Sequence, residues 1–117
     1  MKVSEVAKIL KADILCLAET VDTTEVKTAC GADMMSDVLA FVKDQGLLLT
    51  GLMNAQVVRT SEMMDIPCIA FCRGKVPDDS VIELAAEKGI ILITTKFRLY
   101  QACGLLFKAG LDADGAI

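Results

Sequence analysis

The sequence predicts an α/β domain built on a mostly parallel sheet of about five strands with helices on both faces. Three observations carry that prediction. Residues 46–54 and 89–95 each open on a glycine, run through unbroken aliphatics and reach a small polar residue. A short run that is apolar on both sides is what a strand buried between two helix layers requires. From Glu25 onward, strand-like and helix-like stretches alternate β-α-β-α-β-α-β-α, and such alternation makes a parallel sheet with right-handed crossovers. The connections are only a few residues long, with no linker or low-complexity run. Residues 3–111 therefore form one domain, and 112–117 a small, flexible tail.

Each element follows from its own pattern. Residues 3–11 place Val3, Val6, Ala7, Ile9 and Leu10 on one side and lysines and Glu5 on the other, a short helix with Ser4 as its N-cap. Residues 13–17 read as a first strand and 18–24 as a polar connection. Residues 25–32 alternate, with Val26, Thr28 and Cys30 facing one way, which suits a half-covered strand near a sheet edge. Ser36 is set to cap the next helix, Val38, Leu39, Phe41 and Val42 form its apolar stripe, and Gly46 is set to close it. Residues 47–50 are the central strand, and Asn54 caps a helix over 55–64. Pro67 opens the strand at 68–72, because proline can begin a strand but not sit inside one. After a loop at 73–77, Asp78 or Asp79 caps an amphipathic helix that Gly89 ends. Residues 90–93 are the last strand. Thr94 or Thr95 caps the final helix, 96–109, which Gly110 stops.

Composition narrows the chemistry. The chain has 117 residues, 54% hydrophobic but only 4% aromatic, so its core rests on aliphatic and sulfur side chains. There is no histidine, which removes Ser-His-Asp and Cys-His pairs, imidazole acid–base work and His-ligated zinc. The net charge of −4 and the lack of a basic stripe argue against a nucleic-acid partner. No run approaches the ~20 apolar residues of a membrane span, and no leader-like segment precedes the first helix, so a cytoplasmic location is expected. Five cysteines, an odd number scattered through apolar stretches, read as structural thiols, with a redox role for Cys30 as the alternative. Cys68 and Cys72 on one strand would lie ~13 Å apart, too far to share a bridge.

In a parallel sheet the strand carboxyl ends and helix amino ends converge on one rim, where backbone N–H groups can hold an anion. That rim collects Gly31, Asp33 and Ser36, then Thr50 and Asn54, then Arg73 and Lys75, and finally Thr94, Thr95, Lys96 and Arg98. Its four cations suit a phosphate or carboxylate. Lys96 and Arg98 are expected in a first helical turn, where positive charge is mildly unfavourable. Ser36, Asn54 and Thr95 also have a purely structural use as caps. Asp33 and Asp37 alone make a poor metal site. No Walker loop or GxGxxG stretch occurs, so no cofactor, metal or catalytic group is expected.

The stretches 3–10 (VSEVAKIL), 34–39 (MMSDVL), 47–50 (LLLT), 67–71 (PCIAF) and 90–95 (IILITT), with the helix after the last, together resemble a DRTGG domain over residues 3–111. The pentapeptide that names the family is not intact here. The nearest stretch is Asp22-Thr23-Thr24, followed by Cys30-Gly31, with no arginine and no Gly-Gly. The resemblance implies a fold similar to the N-terminal domain of HPr kinase, often a homodimer. It implies a regulatory role of the kind seen beside CBS domains in some pyrophosphatases, with an adenine nucleotide as candidate ligand. It also implies, as the alternative, an interaction or assembly subunit for an iron-hydrogenase or other electron-transfer enzyme. For that alternative Met34, Met35, Met53, Met63 and Met64 offer an adaptable surface, or simply core packing. An enzyme reading would need a low-pKa thiol at Cys30 or Cys72. A mean hydropathy of +0.52 in so short a chain also favours a homodimer.

Overall fold

The aliphatic runs do become adjacent strands. The structure is a computed structural model that describes residues 1–41 and 46–111, with the side chain of Phe41 excepted. The order is α1 (Val3–Leu10), β1 (Asp13–Ile14), a 3-10 turn (Ala18–Thr20), β2 (Thr28–Gly31), α2 (Met35–Phe41), β3 (Gly46–Thr50), α3 (Ala55–Met63), β4 (Cys68–Phe71), α4 (Asp79–Glu87), β5 (Ile91–Thr94) and α5 (Leu99–Lys108). The sheet order is β1-β5-β4-β3-β2. β2 to β5 are parallel neighbours in sequence order, and β1 lies antiparallel along β5. The strictly central strand is thus β4, with β3 one place nearer the edge that β2 forms.

Alternation within each strand sends side chains to two separate cores. Leu48, Ile69, Phe71 and Leu92 meet Val38 of α2, Val57 and Val58 of α3, and Val81 and Ala85 of α4. Leu47, Leu49, Ala70, Ile91 and Ile93 meet Val3, Val6 and Leu10 of α1 and Ala102 and Leu106 of α5. Every residue of β3, β4 and β5 is buried, as the two-sided apolar runs require.

Several boundaries differ from the sequence reading, each for a physical reason. Ser4 is not the cap of α1; Lys2 is. The first N–H groups of that helix go instead to the Thr24 and Val21 carbonyls, at 2.9 and 3.0 Å. β1 ladders over two residues only, and Leu17, with φ +58, turns the chain away. Val26 packs in the α1/α5 core while Cys30 packs against the other, so the expected alternation breaks before β2 begins. Leu39 is exposed rather than part of the α2 stripe. Gly46 is the first residue of β3, paired with Thr28, while Val42 lies outside the described residues. Leu111, the last residue of the expected domain, is buried in the α1/α5 core; residues 112–117, the expected tail, lie outside the described residues. Gly89 and Gly110 end their helices with φ +74 and +104, the conformation glycine allows at least cost.

Candidate functional site

The helices that follow β2, β3 and β4 cover one face, and the helix that follows β5 covers the other. Neighbouring loops after β4 and β5 therefore leave the sheet in opposite directions. In open α/β sheets that divergence opens a crevice. Here the two loops close it on each other. The Arg73 N–H donates to the Phe97 carbonyl at 2.8 Å, the Gly74 N–H to the Thr95 carbonyl at 2.8 Å, and the Thr94 hydroxyl to the Lys75 carbonyl at 2.6 Å.

The rim is split into two clusters around that seam. On one side, the Asp33 Oδ1 accepts from the Thr50 hydroxyl at 3.0 Å and from the Gly51 N–H at 2.8 Å. Thr50 Oγ1 in turn accepts from the Leu52 N–H at 3.1 Å. Arg73, at φ +62, lays its guanidinium over Gly51, where a methyl group would lie 2.9 Å from Nη2. Asp33 therefore occupies the donors at the end of β3 that an incoming anion would use. These four residues supply an aspartate, an arginine, a threonine and a glycine from three strand ends, whereas Asp22, Thr23 and Thr24 lie away from the rim, in the turn that docks on the start of α1.

On the other side lies a cavity of about 600 Å³. Thr94, Thr95, Lys96 and Phe97 come from the end of β5, Gly74 and Val76 from the loop after β4, and Leu10, Lys11 and Asp13 from the α1–β1 junction. The Thr95 hydroxyl donates to the Leu10 carbonyl at 2.6 Å and accepts from the Phe97 N–H at 3.3 Å. It thus closes the carboxyl end of α1, not the amino end of α5. What remains open to a visitor is an apolar wall of Val76 and Phe97, with the exposed charged residues Lys11, Asp13 and Lys96 in the same lining. An apolar pocket with a few charged groups at its edge is the usual form of a small-molecule site.

The expected site residues therefore separate. Thr94, Thr95 and Lys96 line the cavity. Asp33, Thr50 and Arg73 form the other cluster. Gly31 lies under α5, where a methyl group would come within 2.6 Å of the Cys103 sulfur. Asn54 caps α3 through its Oδ1, 3.3 Å from the Val57 N–H. Ser36 is exposed in the first turn of α2, one residue past the helix start. Arg98 is the N-cap of α5 and Lys96 precedes it in the loop, so neither cation opposes the helix dipole from a first turn. Lys11 and Asp13 were missed because the direction of so short a first strand cannot be read locally. Once β1 runs antiparallel, Asp13 pairs with Thr94 and carries Lys11 to the rim.

The thiols are held protonated. Burial raises Cys30, with the Asp37 charge adding to it. Burial first, then the neighbouring Cys103 and Asp33, push Cys72 up to about 11 against a smaller opposing effect of Arg73. A nucleophilic thiol needs the opposite shift. The methionines do not form one patch. Met34 precedes α2 at the strand carboxyl rim, Met63 ends α3 at the opposite rim, and Met35, Met53 and Met64 pack against the core. Among the described residues no three acidic or sulfur groups converge on a metal position, and no helix is long and apolar enough to cross a membrane.

No curated protein sequence matches the chain. Among solved structures it is similar to the CBS and DRTGG domains of the regulatory region of Clostridium perfringens pyrophosphatase, in complex with the activator diadenosine tetraphosphate. The TM-score is 0.70 at 15% identity, over 99% of this chain and 52% of that one. The likeness is one of fold, and the chain spans about half of that structure. The DRTGG domain family model matches residues 5–109. With nearly every strand and helix inside that match, the chain belongs to the DRTGG domain family.

Proposed function

We propose that the chain is a non-catalytic regulatory module that works as a homodimer and takes a nucleotide-like anion in the cavity beside β5. The observation that carries this reading is the pairing of the Phe97 wall with Lys11 and Lys96 in a cavity of about 600 Å³. An aromatic ring offers a stacking surface to a base, and two ammonium groups offer charge to phosphates. The pyrophosphatase region of similar fold was crystallised with an adenine-nucleotide activator, which supports the ligand class. The absence of histidine and the raised thiol pKa values support a binding role over a catalytic one. A cytoplasmic location, where adenine nucleotides are abundant, belongs to the same reading.

Calorimetric titration with ATP, ADP and diadenosine tetraphosphate tests it. Binding is expected, with Lys96→Glu and Lys11→Glu each weakening it roughly tenfold or more, about 1.4 kcal/mol. The effect should fade as salt is raised, because both lysines are exposed. No heat and no thermal shift at millimolar nucleotide would overturn the reading.

A further inference from the structure

α5 carries a glycine for which the chain itself supplies no reason. Gly104 lies in the middle of a ten-residue helix, is exposed, and has nothing within 4 Å of the position its Cβ would take. Glycine weakens a helix relative to alanine, so an interior glycine usually answers to packing or function. One turn to either side, at i−4 and i+3, stand Tyr100 and Phe107, 93% and 66% exposed. These three residues make one stripe along the outer face of the helix. Beside the stripe runs a groove of about 560 Å³ between α5 and β2, with Ala29, Gly31 and Leu49 among its lining. β2 is the last strand on that side of the sheet.

We infer that this face is where two copies of the chain meet, with α5 crossing its counterpart antiparallel at Gly104. The inference rests on the homodimer part of the proposed function and assigns it a surface. Knobs and hole lie on the same face, which is what a two-fold, self-complementary contact needs. The stripe is nearly symmetric about its small centre, so an antiparallel crossing sets Tyr100 of each copy near the partner's Phe107. Gly104 lets the two helix backbones approach, and the rings reach toward the shallow grooves. Four aromatic rings can bury roughly 600–1,000 Å². That is a large share of the ~1,200–2,000 Å² of a stable interface. The thiol of Cys103, half-buried at the same level, backs the crossing point.

Light scattering and sedimentation of the full chain test the inference. The wild type is expected at twice its 12.5 kDa mass, and Phe107→Lys as a monomer with an unchanged far-UV spectrum. Gly104→Ala should give effects of opposite sign. It should raise the melting temperature of the Phe107→Lys monomer, yet weaken dimerisation of the otherwise native chain about tenfold. Gly104→Cys should cross-link two copies under mild oxidation. Val76→Lys, on a different edge, should leave the dimer intact. A dimer that survives Phe107→Lys, or one that Val76→Lys dissolves, would overturn this face while leaving dimerisation standing. A wild-type monomer at high micromolar concentration would overturn both. Nucleotide binding measured on the Phe107→Lys monomer keeps the ligand reading separate.

Discussion

At Gly31 a single hydrogen in place of a methyl group lets α5 lie on β2. A Cβ there would stand 2.6 Å from the Cys103 sulfur, which is not a flexible chain end. Gly31→Ala should therefore cost about 1–3 kcal/mol in urea denaturation. Adding Cys103→Ala should recover much of that loss, because the two sites share one contact. Cys72 gives a pH signature. Its thiol is raised from 9.0 to about 11 in the folded chain. Below pH 9 both states hold the proton and the stabilisation is complete. As pH rises from 9 to about 11 the unfolded chain loses protons first, so stability falls through that window. Cys72→Ala should flatten the fall when denaturation is compared at pH 8 and pH 10.5. Hydroxyls were the least legible residues at this scale. Thr95 looked like a local helix cap, but its proton goes to Leu10, 85 residues away in sequence. Thr94 serves Lys75 in the same way. Small polar groups accept whichever partner the fold brings, and only the fold says which one.

The strands were legible as elements because burial on both sides leaves no room for polar residues. β3, β4 and β5 all lie within the aliphatic runs that announce them, to within a residue or two at each end. Phe71 on β4 is the largest fully buried side chain among the described residues, and Phe71→Ala should cost about 3–5 kcal/mol. Ile14 on β1 is 37% exposed, and Ile14→Ala should cost under about 1 kcal/mol by the same denaturation. β1 was poorly legible for the converse reason. Two residues carry too little pattern to give a length or a direction, and the helix cap at Ser4 was misread because the chain at 21–24 satisfies α1 from outside. Glycines at helix ends were read well at Gly89 and Gly110, since a positive φ is a local demand that few other residues meet.

At the level of the molecule, the parallel run of β2 to β5 follows from alternation, but the place of β1 beside β5 and the location of the cavity do not. The rim named from sequence includes Thr94, Thr95 and Lys96, which line the cavity, but not Lys11, Asp13 and Phe97, which line it too. Those residues arrive through the antiparallel return of β1 and the short loop before α5, both of which are tertiary outcomes. A binding test follows at this scale. A ligand that engages only the folded chain stabilises it by RT ln(1 + [L]/Kd). Nucleotide at a hundredfold excess over Kd should thus add about 2.7 kcal/mol to unfolding, and a tenfold loss of affinity in Lys96→Glu should cut that gain to about half, about 1.4 kcal/mol, at the same concentration.

The pairing of β1 with β5 and the packing of α1 on α5 tie the first residues of the chain to its last described ones. A ribosome delivers these two stretches about 80 residues apart. Val3, Val6 and Leu10 share a core with Leu47, Leu49 and Ala70, but its closing side, Ile91, Ile93, Ala102 and Leu106, is made later than all of them. A nascent chain halted before β5 therefore carries an apolar arm with half its cover missing, a ready client for a holdase until residues 91–111 follow.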